Sequence, residues 1–225
     1  MTDRRGWLRQ AASLAVLLAG CAQQAPAPAP QAESLRIMTF NIRYGTADDG
    51  ADAWPHRRDL VIQVIRDGRP DLLGVQEALR FQLDELGAAI PGYGEIGVGR
   101  DDGRTKGEYA AFLYRKDRLE PLASGTHWFS DTPEVPGSTS WGNRITRIVT
   151  WARFRDRTTG RAFAAYNLHL DHESQPSRER SAEMIARLVA AEDVPVVVLG
   201  DFNSGEANPA FRRLTAGGRG TPPPL

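Results

Sequence analysis

The sequence predicts an α/β sandwich built on mixed β-sheets. Three observations support this prediction: strand-like apolar segments outnumber helical ones, some strands are joined by hairpins and others through helices, and no Gly-x-Gly-x-x-Gly or P-loop follows the first strand. A Rossmann fold is therefore not expected. The chain of 225 residues also shows no repeat of solenoid period.

Helix-linked strands dominate the first part of the chain. Val61, Val64 and Ile65 recur at helical spacing, and Gly68 with Pro70 predicts the end of that helix. The predicted elements, in order, are a strand over residues 35–42, a helix over 57–66, a strand over 71–76 and a helix over 81–89.

Strands dominate the second part of the chain. The predicted elements are strands over residues 108–115 and 119–129, a hairpin of strands over 145–155 and 161–170, a helix that opens near Pro176, a strand over 194–199 and a short helix over 208–214. The strand over 194–199 is continuously apolar and precedes Gly200, which is typical of a strand covered on both faces.

Composition excludes several classes of protein. The 28 Lys and Arg residues balance 28 Asp and Glu residues, which argues against a nonspecific binder of duplex nucleic acid. The 41% hydrophobic and 25% charged content is ordinary for a globular domain. One cysteine, Cys21, leaves no internal disulfide framework and no cysteine-based zinc cluster.

The N-terminus has the pattern of an export signal. Residues 1–20 combine early arginines with a short apolar run, and residues 18–21 (Leu-Ala-Gly-Cys) resemble a bacterial lipobox. We expect lipidation at Cys21 and a Pro/Ala-rich tether over residues 21–33. The chain would then be exported and lipid-anchored in the bacterial cell envelope, by a Sec or a twin-arginine route. An ordinary signal with a chance cysteine is the alternative.

Polar residues stand where the predicted strands end. They are Asn41, Glu77, His169, Asp201 and Asn203. Each alone is compatible with a turn, a helix cap or a structural role. Because strand ends in α/β proteins meet in one crevice, the joint pattern predicts a site for a hard cation such as Mg²⁺ and a metal-assisted hydrolase.

Four segments occur in a fixed order: Thr-Phe-Asn-Ile-Arg at residues 39–43, Val-Gln-Glu at 75–77, Tyr-Asn-Leu-His-Leu at 166–170 and Gly-Asp-Phe-Asn at 200–203. Together they resemble the endonuclease/exonuclease/phosphatase superfamily, which includes deoxyribonucleases and inositol-phosphate phosphatases. The resemblance implies a domain over residues 34–214 with a four-layer sandwich of two mixed β-sheets flanked by helices. It also implies a Mg²⁺-dependent phosphoesterase, with Mn²⁺ or Ca²⁺ as alternative ions.

The resemblance implies a role for each residue. Glu77 would bind the metal with Asn41 beside it, Asp201 would activate water, and Asn203 and His169 would contact the phosphate. Tyr109, after Glu108, and Arg144 are weaker candidates for substrate contact, against a strand start and a surface ion pair as alternatives. Asp171 and His172 would line the same rim or form a solvated loop.

The resemblance also predicts a terminal Asp-His pair, which this sequence lacks, since all four histidines precede Asp201. Residues 215–225 are rich in Gly and Pro and do not suit a central strand. We therefore expect a truncated or frameshifted copy of a longer enzyme, a fold incomplete at its C-terminus, low stability from an open sheet edge, and weak or absent catalysis.

Three readings of function follow. The first is a monomeric phosphoesterase whose substrate is a phosphoester of unknown class, with nucleic acid as one candidate. The near-neutral charge lowers the expectation of a nuclease. The second is an envelope lipoprotein that binds a phosphorylated ligand without turnover, and the third is an inactive fragment.

Overall fold

Eight strands and four helices make up residues 34–216, which the computed structural model describes. The predicted signal, Cys21, the whole of the predicted tether and residues 217–225 lie outside the described residues. The elements are β1 (Ile37–Asn41), α1 (Trp54–Gly68), β2 (Leu72–Ala78), α2 (Arg80–Ala89), β3 (Tyr93–Ile96), β4 (Tyr109–Arg115), β5 (Leu119–Trp128), β6 (Ile148–Asp156), β7 (Ala162–His169), α3 (Gln175–Ala190), β8 (Val196–Asp201) and α4 (Pro209–Ala216).

The strands form two four-stranded sheets, with the orders β1-β2-β4-β3 and β5-β6-β7-β8. Each sheet contains one parallel pair, β1 with β2 and β7 with β8, while the remaining pairs are antiparallel. Parallel pairs need a crossover connection, and α1 and α3 supply it. Both sheets are therefore mixed, which confirms the predicted fold class.

Three apolar cores separate four layers. The first core packs α1 and α2 on the outer face of the first sheet, through residues such as Ile65, Leu73 and Leu86. The second fills the space between the sheets, around Phe112 and Phe154. The third packs α3 and α4 on the second sheet. Side chains alternate between the two faces of each strand, so most strands supply two of these cores, whereas β5 supplies Leu119 to the second.

Two features differ from the sequence prediction. Strand β3 was not predicted, because its four residues, Tyr-Gly-Glu-Ile, include a glycine and carry a weak alternating pattern. Helix α1 begins at Trp54, three residues earlier than predicted, and Pro55 occupies its first turn, where a missing N–H costs nothing. Among residues 34–216, no helix combines the length and the hydropathy needed to cross a bilayer.

A buried amide bridge joins the two sheets. Asn167 of β7 is fully buried, and its Nδ2 donates to the carbonyl oxygens of Val75 at 3.1 Å and Ala111 at 2.9 Å. Its Oδ1 accepts a hydrogen bond from Gln76 Nε2 at 2.7 Å. Gly74 makes room for this bridge, since a Cβ there would lie 2.8 Å from Asn167 Oδ1. Two strands of the first sheet are thereby fastened to one strand of the second.

Replacement of Asn167 by Leu tests this bridge. The variant removes both donors from buried carbonyl groups and the acceptor from Gln76, and unsatisfied buried polar groups cost about 1–3 kcal/mol each. We expect the free energy of unfolding, measured by urea denaturation, to fall by about 3 kcal/mol. The matched control, Gln63→Leu on the exposed face of α1, should change it by less than about 0.5 kcal/mol. Equal effects of the two changes would contradict the bridge.

Candidate active site

Three strand ends meet at one end of the space between the sheets. Asn41 is the last residue of β1, His169 the last of β7 and Asp201 the last of β8. Asn41 shares the inner face of β1 with Thr39, His169 follows Asn167 on the inner face of β7, and Asp201 pairs with His169 in register. Side chains on the inner face of these strands fill the core, and the last inward-facing residue of each strand is polar. These polar side chains therefore lie where the core ends.

Glu77 reaches the same place through a β-bulge. Gln76 pairs with Ala110 and Ala78 pairs with Tyr109, so that Glu77 is an extra residue in β2. Its φ of 61° lies in the left-handed region, which is strained for a non-glycine residue. Bulges re-aim side chains next to functional sites. Here the bulge turns the Glu77 carboxylate toward Asn41.

Asn41 connects the two carboxylates of the site. Its Nδ2 donates to Glu77 Oε1 at 2.8 Å and to Asp201 Oδ2 at 2.9 Å. Its Oδ1 accepts the backbone N–H of Arg43 at 2.9 Å, which fixes the orientation of the amide. The backbone N–H of Tyr44 donates to the other oxygen of Glu77 at 3.2 Å. Two acidic groups are thus held beside one another on a single amide nitrogen.

Asp201 is ionised despite its partial burial. Burial acts to raise the pKa of Asp201, but the hydrogen bonds from Asn41 and from the backbone N–H of Asn203, together with the charge of Arg147, outweigh it and lower the pKa. Asn203 has a left-handed φ of 43°, and its Nδ2 donates to the carbonyl oxygen of Leu170 at 2.9 Å. That bond leaves one N–H of Asn203 for a ligand in the cleft.

His169 is a buried, neutral imidazole. Its Nε2 lies 3.1 Å from Nη1 of Arg147, and a guanidinium only donates, so Nε2 is the acceptor and Nδ1 carries the proton. That proton faces Glu108, whose Oε2 lies 4.0 Å from Nδ1. Burial, reinforced by the charge of Arg147, lowers the pKa of His169 to about 3. His169 therefore contributes a neutral polar group at neutral pH.

Arg147 is a central residue that the sequence reasoning missed. It is 3% exposed, and besides His169 it contacts Asp171 Oδ2 at 3.5 Å and His172 Nδ1 at 2.6 Å. Asp171 is buried and His172 is half-exposed beside the cleft, so the pair belongs to the site rather than to a solvated loop. Arg144 and Arg147 lie in the same turn-rich segment, and nothing in the sequence indicates which of the two lines the cleft.

The cleft above these residues has a volume of about 370 Å³. Glu77, His169 and Asn203 line it together with three arginines, Arg43, Arg100 and Arg147. Arg100 holds Glu108 through two hydrogen bonds of 2.6 and 2.9 Å. Burial raises the pKa of Glu108, against the opposing effect of Arg100. Three arginines and the carboxylates of Glu77 and Glu108 thus line one small cavity.

Two predicted substrate contacts lie elsewhere. Tyr109 is 2% exposed within the core under α1 and α2, and its hydroxyl donates to the carbonyl oxygen of Arg104 at 2.9 Å. Its ring is on the outer face of β4, because the inner face begins with Ala110. Arg144 is exposed on the loop before β6 and does not line the cleft. The structure brings neither side chain to the cleft, and Glu108 and Arg147 occupy it instead.

The donor set suits a hard divalent cation. Glu77 and Asp201 offer carboxylate oxygens around Asn41, and such ligands are preferred by Mg²⁺, Mn²⁺ and Ca²⁺. Over residues 34–216, no group of three or more His, Cys, Asp or Glu side chains is arranged as a metal site. The fit therefore rests on the two carboxylates, which the amide N–H groups of Asn41 hold side by side.

The neutral state of His169 has a consequence for stability. The unfolded chain binds a proton at the ordinary histidine pKa of 6.5, whereas the folded chain does so only near pH 3. The contribution of His169 to the free energy of unfolding is therefore complete above pH 6.5 and declines as the pH falls toward 3. Carboxylates with lowered pKa values lose their contributions at the acidic end of this range.

We expect His169→Gln to flatten the pH dependence of the free energy of unfolding. Between about pH 6.5 and about pH 4.5, wild type should lose about 2 kcal/mol more than the variant, as measured by urea denaturation. His56→Gln, which removes an exposed histidine of α1, should leave the wild-type slope in place. An unchanged slope in His169→Gln would mean that His169 is protonated in the folded chain.

Two solved structures of similar sequence share this fold. An endonuclease/exonuclease/phosphatase from Bacteroides vulgatus is 43% identical and has a TM-score of 0.78, with 81% of this chain and 70% of that chain covered. A mannosyl-6-phosphatase from Bacteroides thetaiotaomicron is 35% identical with a TM-score of 0.77, over 81% of this chain and 70% of that chain.

Sequence comparison extends the similarity. Nocturnin from Drosophila melanogaster is 25% identical over 208 residues, which cover 82% of this chain and 31% of Nocturnin. The Endonuclease/Exonuclease/phosphatase family profile matches residues 38–224. Members of that family are hydrolases of phosphoester bonds, and they generally use divalent metals. The chain belongs to the endonuclease/exonuclease/phosphatase family.

Proposed function

We propose that this protein is a divalent-metal-dependent hydrolase of a small phosphate monoester. One observation carries the proposal: Glu77 and three arginines line a cleft of about 370 Å³, and Asn41 joins Glu77 to the neighbouring carboxylate of Asp201. Carboxylates without cations would suit a metal alone, and arginines without carboxylates would suit an anion alone. Their combination suits a metal and a phosphate together.

The carboxylate side of the cleft would hold the ion and the attacking water. Glu77 would ligate the ion with Asn41 beside it, and a bound divalent ion supplies positive charge to the phosphate and leaving oxygens. The ionised Asp201 accepts a hydrogen bond from water and orients its oxygen toward phosphorus. The water oxygen bonds to phosphorus, the ester bond breaks, and the proton lost by water ends on the alcohol product.

The arginine side of the cleft would bind the phosphate. Arg147 is held in place by His169, Asp171 and His172 and still presents N–H groups to the cleft, as does Asn203. Such guanidinium groups recognise phosphate through paired hydrogen bonds. Because three side chains support it, Arg147 needs little reorganisation when the substrate binds.

The substrate class follows from size, charge and similarity. The cleft is at the small end of the range for ligand pockets, about 300–1,000 Å³. A net charge of zero provides no extended basic track for a nucleic acid. The 35% identical relative is a mannosyl-6-phosphatase. A sugar phosphate therefore fits better than DNA, and the predicted lipidation at Cys21 would present the cleft to solutes of the cell envelope.

A second candidate function is binding of a phosphorylated ligand without turnover. It is favoured by the state of the imidazoles: Nε2 of His169 and Nδ1 of His172 both accept hydrogen bonds from Arg147. Within residues 34–216, no other histidine lines the cleft to protonate a leaving alcohol. A protein of this kind would bind a sugar phosphate with Mg²⁺ and release no phosphate.

Phosphate release from mannose 6-phosphate by the purified full chain tests the proposal. We expect Mg²⁺-dependent release that EDTA abolishes, and Asp201→Asn should lower kcat by at least about 100-fold, since it removes the charge that orients water. Asp59→Asn, at an exposed position on α1, is the matched control and should retain activity.

Calorimetric titration with the same sugar phosphate separates the two candidates. Release of phosphate supports the hydrolase, and tight Mg²⁺-dependent binding without release supports the binding protein. Cleavage of plasmid DNA in preference to the sugar phosphate would overturn the assignment of substrate class. Neither release nor binding would overturn both candidates.

A further inference from the structure

A groove lies at the end of the first sheet opposite the cleft. It has a volume of about 600 Å³ and is formed by the ends of α1 and α2 and the turn between β4 and β5. A second depression of about 370 Å³ adjoins it, and the two share Arg69 and Arg115. None of the residues of the candidate active site lines either depression.

The groove has an apolar floor and a basic rim. Ile65 and Ile90 are buried in its floor beside Tyr93, whose hydroxyl donates to the carbonyl oxygen of Pro70 at 2.6 Å. The exposed side chains of Arg69 and Lys116 stand on its rim, with Ala89, Pro91 and Tyr93 as the accessible apolar lining. This combination suits a ligand that presents an anionic head beside apolar material.

Most of the rim cations have no carboxylate partner. Within residues 34–216, no ion pair involves Arg36, Arg66, Arg69 or Lys116. Arg36 donates to the carbonyl oxygen of Gly68, and Arg66 donates to that of Ala89, so both keep their full charge.

The neighbouring acids only partly balance this charge. Arg115 is neutralised by the buried Asp71 at 3.0 Å and by Asp117 at 2.7 Å. Asp67 is the remaining exposed acid of this end of α1. With Arg115 and its two partners included, five cations face three carboxylates, Asp67, Asp71 and Asp117, which leaves a surplus of two positive charges in a chain whose net charge is zero.

The position of the groove along the chain favours one occupant. Ser34 lines the adjoining depression, and β1 runs from this end toward Asn41 at the cleft. The predicted lipidation site, Cys21, is thirteen residues before Ser34, a distance of at most about 45 Å even when fully extended. An anchored chain would thus keep the groove near the lipid surface.

We propose that this basic groove docks on a membrane surface by binding anionic lipid headgroups. The domain then stands with its groove against the lipid and its cleft at the far end of β1, open to dissolved substrate. Lys and Arg residues near an anionic surface add attraction that falls within a Debye length. The inference adds an electrostatic contact to the predicted lipid anchor and does not depend on catalysis.

Vesicle sedimentation of the full chain tests the docking surface. Every protein carries Cys21→Ser, so that no lipid is attached, and vesicles contain phosphatidylcholine with or without phosphatidylglycerol. We expect the groove variant Arg69→Glu/Lys116→Glu to lose at least about tenfold of the phosphatidylglycerol-dependent affinity. The matched control, Arg58→Glu/Arg187→Glu, makes the same change in charge at a half-exposed site of α1 and an exposed site of α3, both outside the groove.

Comparison of the two variants decides the matter. Both variants carry the predicted export signal, so any affinity of that segment for lipid cancels in the comparison. Thermal melting of each variant verifies folding. Loss confined to the groove variant, and absent at high salt for all proteins, supports the docking surface. Equal loss in both variants, or no loss in either, overturns it. Hydrolysis of mannose 6-phosphate by the groove variant should equal that of its control in every case.

Discussion

The amide of Asn167 sets the relative position of the two sheets. Three hydrogen bonds tie β7 to β2 and β4 across an interior that is otherwise apolar. Apolar contacts tolerate sliding, whereas buried amide hydrogen bonds are directional and are lost when the sheets shift. Gly74 admits the amide by carrying no Cβ. The bridge thereby fixes how β7 of the second sheet is aligned with β2 and β4 of the first.

The site follows from that register. His169 is the next inward-facing residue of β7 after Asn167 and lies at the end of the inner face. Asp201 of β8 pairs with it. Asn41 crosses from the first sheet to bond Asp201, so the two sheets meet again through a polar contact at the cleft. Burial, reinforced by the charge of Arg147, keeps His169 neutral. The bulge at Glu77 brings the second carboxylate. The apolar core, the Asn167 bridge and the cleft therefore follow one another along the space between the two sheets.

Most of the fold and part of the site were predictable from sequence. Continuous apolar runs located β8, and polar residues at strand ends anticipated that Asn41, Glu77, His169 and Asp201 converge, because strand ends share an edge. Their catalytic roles stay predictions. Arg147 could not be singled out, since its importance comes from burial against β7 and the following loop. The outward orientation of the Tyr109 ring depends on how β4 pairs with the bulged strand β2. No local sequence pattern reveals that register.

Binding of Mn²⁺ to the full chain, followed by electron paramagnetic resonance, tests the central claim most directly. The claim is that Glu77, which Asn41 holds beside Asp201, ligates a divalent cation. The account predicts one Mn²⁺ site that Mg²⁺ displaces and that Glu77→Gln weakens at least about tenfold, while the exposed Asp59→Asn leaves it intact. Absence of Mn²⁺ binding in wild type, or equal affinity in Glu77→Gln, would contradict the account.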